Sequence, residues 1–269
     1  SCATGRLLRF DSRRVPQGLT YVQYASPLRA LRATIRFLLE SAAGGGSPHG
    51  LGLEKTMDIL LLGSGGREHA IAVSLKRSPL CDALYVAPGN GGTAEIAENV
   101  SLDIEDGQAV VDFAKEHGVG LVVIGPEAPL VAGVADAVRA AGIACFGPGA
   151  QGAQMEGSKR FAKEFMECHG IPTADYRAFE SAEPALAYVD ERFEAGVPIL
   201  VVKADGLAAG KGVIVAKDAA EARAAVEECF GGHFGDAGSV VVIEEGLTGP
   251  ECSLLAFVDG STMRLMATA

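Results

Sequence analysis

The chain has 269 residues, of which 48% are hydrophobic and 21% are charged. This composition excludes disorder throughout, because there is enough apolar side chain to offset the entropy of the chain. Glycine is abundant, at 35 residues, but the absence of a Gly-X-Y period excludes collagen. No apolar run approaches the roughly 18 residues of a membrane span. The length fits one large domain or two ordinary ones.

Charge is distributed unevenly. Residues 1–56 hold eight basic and three acidic residues, whereas residues 57–269 hold fifteen basic and thirty-one acidic residues. The net charge of the whole chain is −11. The acidic excess of residues 57–269 argues against general nucleic-acid binding, which needs a basic surface. The six cysteines form no C-x-x-C pair, which argues against a zinc site and fits small buried side chains in a reducing compartment. We therefore expect a cytoplasmic protein without a nucleic-acid or membrane partner.

The first 56 residues differ from the rest. Arg29, Arg32 and Arg36 share one face of a possible helix, and a Gly-rich linker follows at 42–48. A basic amphipathic helix is typical of targeting or membrane-surface segments, but the same composition fits an extension without a role. We expect residues 1–56 to be an extension that is disordered or non-native.

From Met57, short apolar runs alternate with amphipathic segments. This alternation predicts an α/β fold with a Rossmann-like parallel sheet covered on both faces, ending near residue 157. The predicted strands cover 58–62, 83–87, 121–124 and 143–146, and the predicted helices cover 68–76, 108–117 and 130–141.

The second half has a different rhythm, with paired strands around a glycine-rich loop, which predicts an α+β unit with antiparallel pairing. We expect it to span 158–269, with a smaller lid at about 178–247. Because the chain stops beside a strand, we expect this unit to be truncated. The predicted helices cover 159–169, 182–193 and 219–230, and the predicted strands cover 198–203, 212–216, 239–244, 252–258 and 262–266.

A glycine-rich loop, Gly-Ser-Gly-Gly-Arg-Glu-His at 63–69, follows the first strand and opens a helix. Open α/β sheets bind phosphate at this place, on exposed helix N-terminal N–H groups, and Arg67 adds a cation. A dinucleotide fingerprint needs glycine where Glu68 stands and an acidic residue at the end of the second strand, which ends at Pro88. Both departures argue against NAD. The alternative is a tight turn that needs glycine for packing alone.

Two further loops, at 89–93 and 125–130, follow the second and third strands, so they lie on the same edge of the sheet as the first loop. Three loops rich in Gly, Asn and Pro that converge on one edge predict a binding site better than any one alone. Each loop taken singly also fits an ordinary strand-to-helix turn.

The most informative stretch runs from Lys203 to Gly212. It is not a Walker A loop, because three residues separate Gly206 from Gly210 and a glycine follows Lys211. A glycine flap in a hairpin with lysines beside it resembles the way kinases cover triphosphate. Lysines there would offer point charges to phosphate oxygens. The alternative is a mobile surface hairpin.

An acidic segment, 243–251, ends one strand and leads towards the next. Strand-end carboxylates beside a nucleotide can accept ribose hydroxyls while the backbone reads adenine. The same spacing fits a solvated acidic turn.

Together these stretches resemble the phosphoribosylamine–glycine ligase family. The resemblance lies in Leu62–Ala70, Pro88–Thr93, Gly125–Val131, Glu156–Lys159 and Val202–Val213, which occur in the family's order and spacing. It implies a Rossmann-like domain followed by a partial ATP-grasp α+β domain with a small glycine-flap lid. It covers about the first half of a family member.

The resemblance implies an enzyme that joins glycine to 5-phosphoribosylamine with ATP through a glycyl phosphate, in purine biosynthesis. It implies a monomer, and Mg²⁺ (or Mn²⁺) held by residues beyond Ala269, with no metal ligand within this chain. Lys203 and Lys211 would be catalytic. The implied ATP contacts are Lys159, Lys203, Gly206, Gly210, Lys211, Gly212, Glu244, Glu245, Leu247 and Glu251. The implied phosphoribosylamine contacts are Gly65, Gly66, Arg67, Glu68, Asn90, Gly91, Gly92, Thr93, Pro126 and Glu127.

Three other functions fit parts of the pattern. They are another ATP-grasp carboxylate–amine ligase, a nicotinamide-dependent oxidoreductase and a nucleotide-binding sensor without catalysis. The glycine flap is shared among ATP-grasp ligases in kind, but the Gly-Gly-Arg-Glu-His and Gly-Pro-Glu-Ala-Pro-Leu stretches favour the glycine ligase.

Overall fold

The computed structural model of the protein describes residues 56–206, 212–233, 235–258 and 263–266. The predictions for residues 1–55, for residues 207–211 of the flap and for the turn at 259–260 lie outside this part. None of the helices in the described ranges is long and apolar enough to cross a membrane.

The first half of the described chain forms a five-stranded, wholly parallel sheet. Its elements in chain order are β1 (Met57–Gly63), α1 (Gly66–Lys76), β2 (Cys81–Pro88), a 3₁₀ turn (Thr93–Glu95), β3 (Glu98–Asn99), α2 (Gly107–Glu116), β4 (Val119–Ile124), α3 (Glu127–Val131), α4 (Val134–Ala140), β5 (Ala144–Phe146) and α5 (Ala150–Gly157). The strand order in the sheet is β3-β2-β1-β4-β5.

Strand β1 explains why this sheet is parallel and covered. Ile59 and Leu61 pack into the apolar cluster that contains residues of α1, while Leu60 and Leu62 pack into the cluster with α2 and α4. All four side chains are fully buried. A strand needs such a continuous apolar run only when helices cover both faces of its sheet. The predicted α/β class is confirmed.

Helix α5 has no counterpart among the predicted elements, and the sequence pattern missed two further features of this half. The predicted helix 130–141 is two helices, because Gly133 adopts a left-handed φ of 86° between them. Strand β3 contains only two exposed polar residues, which carry no periodic signal.

The second half forms a four-stranded antiparallel sheet in the order β6-β9-β7-β8, with two helices packed on one face. The short strand β6 has no counterpart among the predicted elements. The elements are α6 (Lys159–His169), β6 (Tyr176–Phe179), α7 (Ala182–Glu194), β7 (Leu200–Ala204), β8 (Val213–Ala216), α8 (Ala219–Glu228), a π-turn (Cys229–His233), a 3₁₀ turn (Gly235–Ser239), β9 (Val241–Glu245), and a separate antiparallel pair of β10 (Ala256–Val258) and β11 (Met263–Leu265).

Alternation along β7 and β9 sorts their side chains between the two faces of this sheet. Leu200, Val202 and Ala204 are fully buried against α7 and α8. Lys203 therefore lies on the opposite side, which we call the distal face. In the antiparallel register Val201 is opposite Glu244, so Glu244 shares the distal face.

The described cysteines only partly match the expected buried thiols. Cys229 is buried, and burial raises the pKa of its thiol to about 11. Cys145 is half-buried, with its pKa likewise raised to about 11 by desolvation. Cys252 is exposed.

The edge of the parallel sheet is shaped around Glu68, which is 4% exposed although it is charged. Its carboxylate accepts a hydrogen bond from the Gly65 N–H at 2.8 Å. Gly63, Gly65 and Gly125 surround the side chain, and a Cβ at any of the three would meet Glu68 atoms at clashing distance. The glycines of the loops are therefore required, in part, to make room for a buried carboxylate.

This packing predicts the effect of adding one methyl group. A Cβ at Gly125 would lie 2.5 Å from Glu68 Cγ, so Gly125→Ala should lower the free energy of unfolding by about 1–3 kcal/mol. Gly91→Ala is the matched control, because no atom lies within 4 Å of a Cβ at that position. Urea unfolding followed by circular dichroism measures both, and equal stability of the two variants would contradict the packing argument.

Candidate functional site

Three loops meet at the carboxyl edge of the parallel sheet, and side chains tie them together. The Asn90 amide donates to the Ser64 carbonyl at 2.8 Å, which joins the second loop to the first. Arg67 donates to the Gly125 carbonyl at 2.7 Å and to Glu127 at 3.1 Å, which joins the first loop to the third. The convergence predicted from strand order is thus present as direct contacts, and we call this region the rim.

Arg67 is the central cation of the rim. Its guanidinium also donates to Glu68 at 2.9 Å, and its side chain remains 57% exposed. Hydrogen bonds to Glu68 and then Glu127 raise the pKa of Arg67, and the bond from Arg67 holds the pKa of Glu127 below its usual value. A guanidinium has five N–H groups, and these three hydrogen bonds leave two of them free to bind an anion.

Two of the predicted rim residues are buried supports of the loops. Glu68 is enclosed by glycines, as described above, and Thr93 is fully buried. The Thr93 hydroxyl accepts from the Asn90 N–H at 2.7 Å and donates to Asn99 at 2.8 Å. The side chains of Glu68 and Thr93 hold the loops, and so does that of Asn90, whose oxygen accepts from the Gly92 and Thr93 N–H groups while its amide nitrogen donates to Ser64. Arg67 is the exposed side chain of this group.

The remaining rim predictions are backbone positions. Gly66 begins α1, and Pro126 precedes α3 as its N-cap. The Gly92 N–H donates to the Asn90 side chain at 2.8 Å, while Gly91 lies beside it with open space around its Cα. The structure therefore brings all ten predicted rim residues to one edge.

A second cluster lies on the distal face of the antiparallel sheet. Glu244, which is 6% exposed, forms ion pairs with both Lys203 and Lys163. Lys159 lies close by and donates to the carbonyls of Asp205 at 3.3 Å and Gly206 at 3.0 Å. Three lysines and one carboxylate thus share the space beside the start of the flap, and we call them the lysine cluster.

Electrostatics show how closely these lysines are placed. Burial lowers the pKa of Lys159 and Lys163. The pKa of Lys203 is lowered first by burial and then by the charges of Lys163 and Lys159. Burial is the first cause for all three lysines, and only for Lys203 do neighbouring ammonium groups add to it, so an anion that entered the site would relieve the repulsion on Lys203.

Asp205 fixes the start of α6 against the end of β7. Its carboxylate accepts from the Ser158 hydroxyl at 2.9 Å and from the Arg160 N–H at 2.6 Å. Ser158 in turn caps α6 by accepting from the Phe161 N–H at 3.0 Å. This link holds Lys159, the first residue of the helix, over the root of the flap.

Some predicted nucleotide residues are not in the cluster. Glu245 points to the other side of the sheet and pairs with Arg192 on α7. Leu247 is 79% exposed, and Glu251 is also exposed, both after β9. Gly206 and Gly212 flank the flap, whereas Gly210 and Lys211 lie outside the described residues.

Lys163 was missed by the sequence argument. It is 8% exposed, on α6, and donates to the Thr173 hydroxyl at 2.7 Å. The signal that could have found it is its spacing: residues four apart on a helix lie on one face, and Lys163 is four residues after Lys159.

The chemistry of the two sites follows from their charges. The lysine cluster suits a ligand with several negative charges, and the rim suits a smaller anion beside hydrogen-bonding backbone. Within the described ranges, no group of three or more His, Cys, Asp or Glu side chains could hold a metal ion.

The comparisons with protein families match the whole of this fold. Residues 57–156 match the family described as phosphoribosylglycinamide synthetase, N domain. Residues 157–269 match phosphoribosylglycinamide synthetase, ATP-grasp (A) domain.

Curated relatives are similar over the same region. Phosphoribosylamine–glycine ligase of Agrobacterium fabrum is 57% identical over 79% of this chain and 49% of its own length. The protein of the same name from Pasteurella multocida is 55% identical, again over 79% of this chain and 49% of its own length. The chain therefore spans about half the length of the curated relatives it matches.

Solved structures agree in fold. Phosphoribosylamine–glycine ligase from Thermotoga maritima superposes with a TM-score of 0.63 at 29% identity, over 78% of this chain and 49% of that one. Carboxyaminoimidazole ribonucleotide synthase from Aspergillus clavatus, complexed with ATP, has a TM-score of 0.60 at 19% identity, over 79% of this chain and 53% of that one, a likeness of fold alone.

The resemblance first seen in the glycine-rich loops is thus confirmed over both matched regions, and the chain belongs to the phosphoribosylglycinamide synthetase family.

Proposed function

We propose that this chain forms the first half of a ligase that uses ATP to join glycine to 5-phosphoribosylamine, giving glycinamide ribonucleotide, ADP and phosphate in de novo purine biosynthesis. The lysine cluster beside the glycine flap carries the proposal, because it concentrates positive charge where a triphosphate would lie. Sequence identity of 57% to a ligase of this name adds independent support.

In this proposal the lysine cluster binds the nucleotide. Lys159 and Lys203 contact phosphate oxygens, with Lys211 added from the flap. The backbone around Glu245 and Leu247 meets the base, and Glu251 meets the ribose. The exposed position of Leu247 is compatible with a segment that a ligand covers.

The rim binds phosphoribosylamine. Arg67 and the N–H groups at the start of α1 meet the phosphate, because helix N-termini and guanidinium groups both stabilise anions. Asn90 and Glu127 offer hydrogen-bonding groups to the ribose. Glu68 and Thr93 keep these groups in place without touching the substrate.

The proposed reaction activates glycine first. A glycine carboxylate oxygen attacks the γ-phosphorus of ATP, and the bond to ADP breaks, giving glycyl phosphate. The amine of phosphoribosylamine then attacks the carbonyl carbon, and phosphate leaves. The lysines stabilise the charge on the transferred group, which is the main catalytic demand in phosphoryl transfer.

The family implies a bound Mg²⁺ ion beside the nucleotide phosphates. When bound, the metal would screen phosphate charge. We place its ligands beyond Ala269.

We also keep as proposals the domain limits of 57–157 and 158–269, with the lid at about 178–247 and residues 1–56 as an extension. The same holds for a monomeric state and a cytoplasmic location.

The role of Arg67 can be tested in a full-length ligase, meaning this chain continued by the C-terminal half of a relative. Arg67→Ala should raise the KM for phosphoribosylamine by about 10- to 150-fold, since a charge-assisted contact contributes about 1.5–3 kcal/mol. The KM for ATP should change little.

Arg160→Ala is the matched control, because Arg160 is also an exposed arginine with two glutamate partners, Glu164 and Glu180, but lies away from the rim. An unchanged KM for phosphoribosylamine in Arg67→Ala would remove Arg67 from the substrate site.

The lysine cluster predicts how nucleotide binding depends on pH. Because the pKa values of Lys159 and Lys203 are lowered, these lysines lose their protons below the usual 10.5. Phosphate binds the protonated forms, so ADP affinity should fall as the pH rises from about 7 to about 10, with proton uptake on binding. Adenosine affinity should stay nearly constant. Calorimetric titration measures both, and parallel pH curves would contradict the assignment of the phosphates to this cluster.

The 269-residue chain alone should bind ADP weakly and show no ligase activity. The charge on the transferred phosphoryl group is poorly stabilised without the metal, which contributes several kcal/mol, and about 1.4 kcal/mol is tenfold in rate. Separate titrations with ADP and NADH test the first part, and glycine-dependent phosphate release tests the second, with a full-length relative as positive control.

The outcomes separate the remaining functions. Binding of NADH without ADP would favour an oxidoreductase. No glycine-dependent phosphate release by the full-length ligase would favour a sensor or another ATP-grasp ligase. Activity of the 269-residue chain would place the metal ligands within it.

A further inference from the structure

The feature that the proposed reaction leaves unexplained is the second lysine on Glu244. Lys203, which we place on the phosphates, is already an adequate partner for one carboxylate. Lys163 nevertheless pairs with the same carboxylate, from helix α6. Both Glu244 and Lys163 are nearly inaccessible, with side chains 8% and 10% exposed.

Lys163 is fixed where it stands. Its ammonium group donates to the Thr173 hydroxyl at 2.7 Å and to the Ala174 carbonyl at 3.2 Å, in addition to its ion pair. The ring of Tyr176 lies 5.5 Å from it. With these partners on three sides, the ammonium group cannot turn towards a ligand without losing several buried contacts.

Lys203 is held less firmly. Its side chain is 25% exposed, and the strand that carries it leads directly into the flap. Of the two lysines on Glu244, Lys203 is therefore the one that can leave. If it did so without a second lysine in place, a buried carboxylate would lose its counterion, which is strongly unfavourable.

We propose that Lys163 is a positioning residue: it stays with Glu244 when Lys203 leaves that carboxylate for a nucleotide phosphate. This rests on the proposed function of the lysine cluster. Lys163 touches no substrate in this arrangement. It keeps Glu244 paired before and after the exchange, so that Lys203 can be given up to the nucleotide.

The test uses the 269-residue chain and four variants: Lys163→Met, Glu244→Gln, the double variant and Lys217→Met. Methionine keeps the length of the side chain but removes its charge. Lys217 is an exposed lysine directly after strand β8 and serves as the control. The affinities for ADP and for adenosine are measured by calorimetry, and folding is checked by circular dichroism.

Lys163→Met should weaken ADP binding about tenfold or more, because Lys203 then remains the sole partner of a buried charge. Adenosine, which has no phosphate, should bind within about twofold of the unsubstituted chain, as should both ligands to Lys217→Met. In the Glu244→Gln background the effect of Lys163→Met on ADP should nearly disappear, because no carboxylate then needs a counterion.

Three results would overturn the proposal. They are an unchanged ADP affinity in Lys163→Met, an equal loss for ADP and adenosine, and an equal loss of ADP affinity with and without Glu244→Gln. If Lys163→Met alone does not fold, the ADP affinities of Glu244→Gln and the double variant are compared, since neither has an unpaired buried carboxylate. A large loss of ADP affinity in the double variant relative to Glu244→Gln would then overturn the proposal. Failure of the unsubstituted chain to bind ADP would contradict the nucleotide site proposed for the lysine cluster, whereas ADP binding that Lys163→Met leaves unchanged refutes only the exchange.

Discussion

Both candidate sites depend on one constraint: a carboxylate that is buried in a protein needs hydrogen-bond donors or cations around it to replace the water it has lost. Glu68 meets it with the Gly65 N–H and Arg67, and Glu244 meets it with two lysines. Desolvation of an unpaired charge would cost several kcal/mol, so the surrounding groups are held closely. Each buried glutamate thereby fixes the positions of cations that a ligand can later use.

The two glutamates act on their surroundings differently. Glu68 organises backbone, since the glycines around it leave space for its side chain and the loops close over it. Glu244 positions side chains, because on the distal face it pairs with Lys203 of β7 and Lys163 of α6. In the rim the cation at the surface is Arg67, already bonded on three sides. In the lysine cluster two lysines share the single carboxylate of Glu244.

The antiparallel sheet separates these roles by alternation. Its helix-facing side is a closed apolar core, and Glu245 on that side pairs with Arg192. Its distal face carries charge beside exposed valines, Val213 at 46% and Val215 at 56%. The neighbouring residues Glu244 and Glu245 of β9 therefore have different roles: Glu245 pairs with a helix of the core, whereas Glu244 belongs to the proposed nucleotide site.

The sequence by itself determined the fold class, most of the elements in their order and the edge at which the loops meet, because these follow from local periodicity and from glycine at strand ends. It also pointed to Lys159 and Lys203, which lie within recognisable motifs. Only the tertiary structure decided that Glu68 and Thr93 are buried supports, that Glu245 faces away from the lysines, and that Lys163 belongs to the cluster. Those outcomes depend on which face of a strand or helix meets a segment distant in the chain, and the energy of a buried charge is set by such long-range contacts.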